Sequence, residues 1–206
     1  MKRIILLSLI FGLAHICNAQ AFGFRYGESV KQVLKVVGKS NVISAGTDYL
    51  ELRTAPLPHP LFSLYVVWFS SKGLIKVQAD TREYTDDTDL RSAFDTLNGA
   101  LESAYGKPEH VDGPVSFISD RPPLIEGLAK GELGLFSSWM CNLAADKDGL
   151  LICPENTRLG GQHIDGLVLE AQATKSGTKG YIRLSYEFQG WEAYVDQKRK
   201  AQNSVF

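Results

Sequence analysis

A chain of 206 residues with 22 Lys and Arg against 23 Asp and Glu is nearly neutral, and a hydrophobic fraction of 44% suits a globular protein with a sizeable core. This balance excludes the concentrated basic face that nucleic-acid binding needs, and it offers no polybasic membrane patch. The one basic cluster, Lys198–Arg199–Lys200, falls in a polar C-terminal stretch and reads as a solvated helix end.

In chain order, the first segment is a leader. Lys2 and Arg3 precede the apolar run Ile4–Ala14, which is too short to span a bilayer, and a polar tail follows with Cys17 and Ala19 at its third-last and last positions. This layout predicts a signal peptide over residues 1–19, cut after Ala19, and a periplasmic or secreted domain over 20–206. Ile16 stands where a lipoprotein signal has a small residue, so a lipid anchor on Cys17 is the lesser reading. No later stretch is long and apolar enough to form a transmembrane segment.

Phe22–Tyr26 reads as a short strand. Ser29 and Gln32 form a capping box, Val30, Val33, Leu34 and Val37 recur at helical spacing, and Gly38 ends the helix. Tyr49–Thr54 alternates weakly before the prolines at 56, 58 and 60. Leu61–Phe69 is a near-continuous apolar run that predicts a buried strand, with Trp68 in the core, and Leu74–Thr81 returns after a Ser70–Gly73 turn. Asp86, Asp87 and Asp89 crowd the start of a second helix, which carries Leu90, Phe94, Leu97, Leu101 and Tyr105 on one face and stops at Gly106.

Residues 107–131, rich in Pro and Gly, read as a long irregular connection with one short strand at Val115–Ser119. Strands are predicted at Leu133–Asn142, Leu167–Thr174 and Tyr181–Phe188. In the last, Ile182, Leu184, Tyr186 and Phe188 face inward, and Arg183, Ser185 and Glu187 face outward. Trp191–Gln202 reads as a polar C-terminal helix. Cys141 and Cys153, about a dozen residues apart in an oxidising compartment, predict a disulfide across the loop Asn142–Ile152, stabilising by roughly 3 kcal/mol. Their spacing is neither that of a CxxC redox motif nor that of a zinc knuckle.

This order argues for an α+β fold: an antiparallel sheet with two main helices on one face, open to division into two similar helix-plus-sheet halves. The runs Phe22-Gly23-Phe24-Arg25-Tyr26-Gly27-Glu28-Ser29 and Leu97…Leu101…Tyr105-Gly106-Lys107-Pro108 resemble small exported bacterial α+β proteins. Similar helix-then-meander units occur in the small outer-membrane assembly lipoprotein and β-lactamase inhibitor families. The resemblance implies a non-enzymatic envelope protein that binds other macromolecules, and it transfers no functional residue.

Candidate chemistry is sparse. His110-Val111-Asp112-Gly113 and His163-Ile164-Asp165-Gly166 repeat a His-x-Asp pattern whose side chains share one strand face, so His110, Asp112, His163 and Asp165 could ligate a metal. The alternative is that each Asp-Gly is turn chemistry. There is no G-x-S-x-G elbow, no S-x-x-K set and no phosphate-binding Gly-rich loop. Catalytic residues and cofactors are therefore not assigned. An exported non-enzymatic protein-binding module, of envelope-accessory, inhibitor or immunity type, is the function expected, with another envelope or secreted protein as partner. An envelope hydrolase or metal-dependent enzyme using the His-x-Asp pairs is the alternative. Arg121 in the proline-rich connection, and Trp191 with Tyr194, are the interface residues expected.

Overall fold

The computed structural model describes residues 21–115, 122–140, 144–145, 151–152 and 164–203. In chain order they form α1 (Val30–Val37), a single 3-10 turn, β1 (Val42–Ala45), β2 (Tyr49–Leu52), β3 (Phe62–Ser70), β4 (Gly73–Thr81) and α2 (Asp87–Tyr105). Then come β5 (Glu109–Pro114), α3 (Leu124–Lys130), β6 (Leu133–Met140), β7 (Ala144–Ala145), β8 (Leu151–Ile152), β9 (Ile164–Ala173), β10 (Gly180–Phe188) and α4 (Trp191–Asn203). Eight strands make one sheet in the order β1-β2-β3-β4-β10-β9-β6-β5, with every neighbouring pair antiparallel, and β7 and β8 pair separately. The fold is α+β.

Local chemistry accounts for the helices. Ser29 and Gln32 exchange bonds at the start of α1, and Gly38 closes it at φ 87°. The Asp86 carboxylate accepts from the backbone N–H groups of Thr88 and Asp89 at 2.8 and 3.1 Å, so α2 is capped as its acidic start implies. Asp87, the first residue of α2, accepts from the N–H groups of Leu124 and Ile125 at 2.6 and 2.9 Å. One helix thus supplies the carboxylate that satisfies the exposed donors of α3. Trp139 of β6 donates its indole N–H to the Gly106 carbonyl at 2.7 Å, which ties the end of α2 to the sheet.

Packing fixes the rest. Val33 and Val37 of α1, Leu90, Phe94, Leu97 and Leu101 of α2, and Leu124 and Ile125 of α3 share one buried cluster with alternate strand residues such as Leu52, Tyr65, Val77, Leu169, Leu184 and Tyr186. The β3–β4 turn lies directly on the chain before α1. A Cβ on Gly73 (φ 94°) would stand 2.2 Å from the Gly27 carbonyl oxygen, so only glycine fits there.

Three expectations need correction. Residues 107–131 are not an irregular connection: β5 occupies Glu109–Pro114 and α3 occupies Leu124–Lys130. The pairing of Glu109 through Pro114 with Ser138 through Leu133 holds β5 as the sheet's edge. The rest of the Val115–Ser119 prediction lies outside the described residues. Phe22–Tyr26 is a turn: Phe22 (φ 58°) and Gly23 (φ 84°) reverse the chain, and burial of the Phe22 ring against Phe62, Tyr65 and Tyr186 overrides its strand propensity. Finally, Trp68 is not core; its strand position faces away from the apolar cluster, beside Trp191.

Phe94 is fully buried where α2 meets the sheet. Phe94→Ala is expected to cost about 3–5 kcal/mol by leaving a cavity, read as a lower urea midpoint with the slope of the transition unchanged.

Candidate functional site

The strand residues that alternate with the core positions form a second, contrasting face. The register aligns them in rows across the sheet. One row runs Tyr49, Trp68, Lys76, Glu187, Gly166, Met140. The next runs Glu51, Val66, Gln78, Ser185, Val168, Ser138. A third runs Leu64, Asp80, Arg183, Glu170, Phe136, Val111. Apart from Glu51 and Ser138 at the ends of the second row, apolar and aromatic side chains thus collect on the two flanks, and polar ones occupy the middle.

The middle is a connected hydrogen-bond ladder. Arg183 donates from Nε and Nη2 to the two oxygens of Asp80, both at 2.9 Å, in a two-bonded ion pair across β4 and β10. The Gln78 amide also donates to Asp80, at 3.1 and 3.2 Å. Arg183 reaches the Tyr181 hydroxyl at 3.2 Å, Tyr181 donates to Gln172 at 2.7 Å, and the Gln172 amide donates to Glu170 at 2.7 Å. Burial raises the pKa of the Tyr181 hydroxyl, keeping it a neutral donor. Gln78, Asp80 and Ser185 are buried although they face away from the core.

At one end of this face stands α4. Trp191 stacks on Tyr194 (5.4 Å, 24°) and meets Trp68 edge-on at 5.9 Å. The Lys76 ammonium lies 4.4 Å from the Trp191 ring centre and 3.0 Å from a Glu187 oxygen. Tyr194 donates to Asp48, and Lys198 bonds the same carboxylate at 2.6 Å. Lys198 and then Tyr194 hold the Asp48 carboxyl below its ordinary range, while burial and the bond to Asp48 push the Tyr194 hydroxyl up. Trp191 and Tyr194, the residues expected at an interface, join α4 to Trp68 and Asp48. Arg121 lies outside the described residues.

The His-x-Asp segments are not neighbours. His110 and Asp112 sit on β5 and Asp165 on β9, with β6 between them, and His163 lies outside the described residues. His110 Nδ1 bonds the Ser137 hydroxyl at 2.7 Å, and Asp112 accepts two bonds from Arg91 at 2.7 and 2.9 Å. Among the described residues no three His, Cys, Asp or Glu side chains gather as metal ligands. Cys141 and Cys153 also lie outside the described residues. Among the described residues no helix is long and apolar enough to cross a membrane.

Sequence reasoning missed the ladder. The alternation of β10 marked Arg183 and Glu187 as outward-facing, but nothing local shows that Asp80 and Lys76 stand opposite them. No family model, curated protein or solved structure matches this chain.

The lowered Asp48 value has a pH consequence. A carboxyl depressed on folding contributes stability that is complete above its unfolded value, near 3.8, and is lost as pH falls through the folded one. Backbone amide protection in α4 is expected to hold from neutral pH down to about pH 4 and then to fall. Asp48→Asn should lower that protection already at neutral pH and flatten its dependence on acid, as hydrogen exchange would read.

Proposed function

We propose that this chain is an exported, non-enzymatic protein-binding module that works through the sheet face opposite its apolar core. In this reading residues 1–19 are removed after Ala19, Cys141 joins Cys153, and the partner is another envelope or secreted protein. The pairing of Ala144 with Ile152 supports the disulfide, since it draws the two arms of that loop together just inside both cysteines. The helices α1, α2 and α3 pack on the other face. The chain is two similar halves, α1 with β1–β4 and α2 with β5, β6, β9 and β10, which meet where β4 pairs with β10. The strand order supports this division, because each half runs from an outer edge to the shared seam.

The observation that carries the binding reading is the character of that face. Tyr49, Trp68 and Leu64 flank one side of a satisfied polar ladder, and Phe136, Val168 and Met140 flank the other. Aromatic and apolar anchors around fixed polar groups are the elements from which protein interfaces are built. The hydrolase or metal-enzyme reading draws less support, since His110 and Asp112 are engaged by Ser137 and Arg91.

Two measurements test this. Intact mass of protein taken from the producing cell is expected to start at Gln20 and to lie two hydrogens below the reduced form; Met1 still attached would remove the export reading. Val168→Arg, in the middle row of the face, should weaken the complex with a partner recovered from the envelope fraction by about tenfold or more, measured by calorimetry. An unchanged affinity would place binding elsewhere.

A further inference from the structure

Near one flank the face is hollow. Val66, a short side chain, sits between Glu51 of β2 and Gln78 of β4, while the longer Tyr49, Trp68 and Leu64 rise around it. The result is a depression of about 300 Å³ whose lining includes Tyr49, Glu51, Leu64, Val66, Trp68 and Asp80. Its floor is aliphatic and two of its walls are aromatic. Its charges are unequal in kind. Asp80 already receives two bonds from Arg183 and two from Gln78, which uses its acceptor capacity. Glu51 receives a single bond, from the Ser44 hydroxyl to Oε2 at 2.9 Å, and it has no cationic partner among the described residues. With Arg183 counted, the lining carries one negative charge in excess.

We infer that this depression is the seat for an arginine side chain presented by the partner protein. The inference rests on the binding reading above and names the chemistry that reading leaves open. An arginine stem would lie on Val66 and Leu64, its planar guanidinium against the Tyr49 or Trp68 ring, with two of its N–H groups directed to Glu51. Lysine matches less well, because its ammonium is a compact, strongly hydrated charge that cannot stack. An anion would meet the Glu51 carboxylate, and a purely apolar group would strip water from it without replacement. Lys76 stands next to Trp68 in the adjoining row, but its charge is taken up by Glu187.

The probe is the tripeptide Ac-Gly-Arg-Gly-NH2, titrated into the full protein and followed by amide and indole NMR shifts. The expected result is weak, saturable binding with shifts centred on Tyr49, Glu51, Val66 and Trp68. The lysine tripeptide should bind more weakly, and the citrulline tripeptide should give no saturable shift. Glu51→Gln, which keeps the shape and the Ser44 bond, should weaken the arginine tripeptide by about fivefold without moving the thermal midpoint. Equal binding of the citrulline peptide, or unchanged binding to Glu51→Gln, overturns the inference. Free guanidinium binding as tightly as the tripeptide would overturn it in favour of a small cation. A Glu51-dependent increase in sedimentation coefficient with protein concentration, in the absence of peptide, would overturn it in favour of a second copy of the chain. If Val168→Arg weakens the partner complex and Glu51→Gln does not, the face binds and the arginine seat fails; if neither does, both readings fall.

Discussion

The pairing of β4 with β10 is the constraint on which the sheet depends. Arg183 faces Asp80, Ser185 faces Gln78 and Glu187 faces Lys76, while Leu184 meets Ala79 and Tyr186 meets Val77 on the reverse side. Both faces therefore specify one register. Two opposite-charge pairs close across the seam on one side, and apolar residues interdigitate on the other. A slip of one residue would turn Arg183 and Glu187 into the apolar cluster, and a slip of two would separate both ion pairs. The Thr81 hydroxyl accepts from the Ile182 N–H at 3.0 Å, and Tyr84 bridges Gly180, so the seam is also fastened beyond the end of β4.

The contacts that hold the seam also build the face that carries the binding reading. Asp80 and Arg183 lock β4 to β10, and Arg183 extends the same network through Tyr181 and Gln172 to Glu170 on β9. A connected ladder of this kind restrains each member's rotamers through the next. A partner meeting this surface would find its polar centre already ordered, and would lose less side-chain entropy on docking than it would against free surface side chains. On this side the residues that keep the fold in register would form the polar centre that the proposed partner meets between its apolar flanks.

The sequence made the long, strongly patterned elements legible and hid the rest for identifiable reasons. The capping box at Ser29, the acidic start of α2 and the alternation of β10 are local signals, and each marks an element that is present. The strand β5 was obscured because its residues, Glu-His-Val-Asp-Gly-Pro, carry turn chemistry; it is held as a strand by its pairing with β6. Helix α3 has seven residues and contains Gly127, too short for a periodic signal, and it depends on a carboxylate from a helix remote in sequence. The candidate site was the least legible part. Its central ion pair joins residues 103 positions apart, and its rows exist only once the register of seven strands is known.

Trp68 shows how a side chain can be assigned to the wrong face by composition alone. Leu61–Phe69 is apolar on both faces, which suggests burial on both sides. In the fold, Tyr65, Val67 and Phe69 enter the core, while Leu64, Val66 and Trp68 line the opposite face. That second apolar set needs cover of another kind. Part comes from α4, whose Trp191 meets Trp68, and part from Lys76, which lies within reach of both rings. Leu64 and the already buried Val66 form the floor of the depression, rimmed by Tyr49, Glu51, Trp68, Gln78, Asp80 and Arg183. An apolar floor beside a carboxylate with no cationic partner among the described residues suits a group that brings an apolar stem and a positive charge together, as the proposed arginine does.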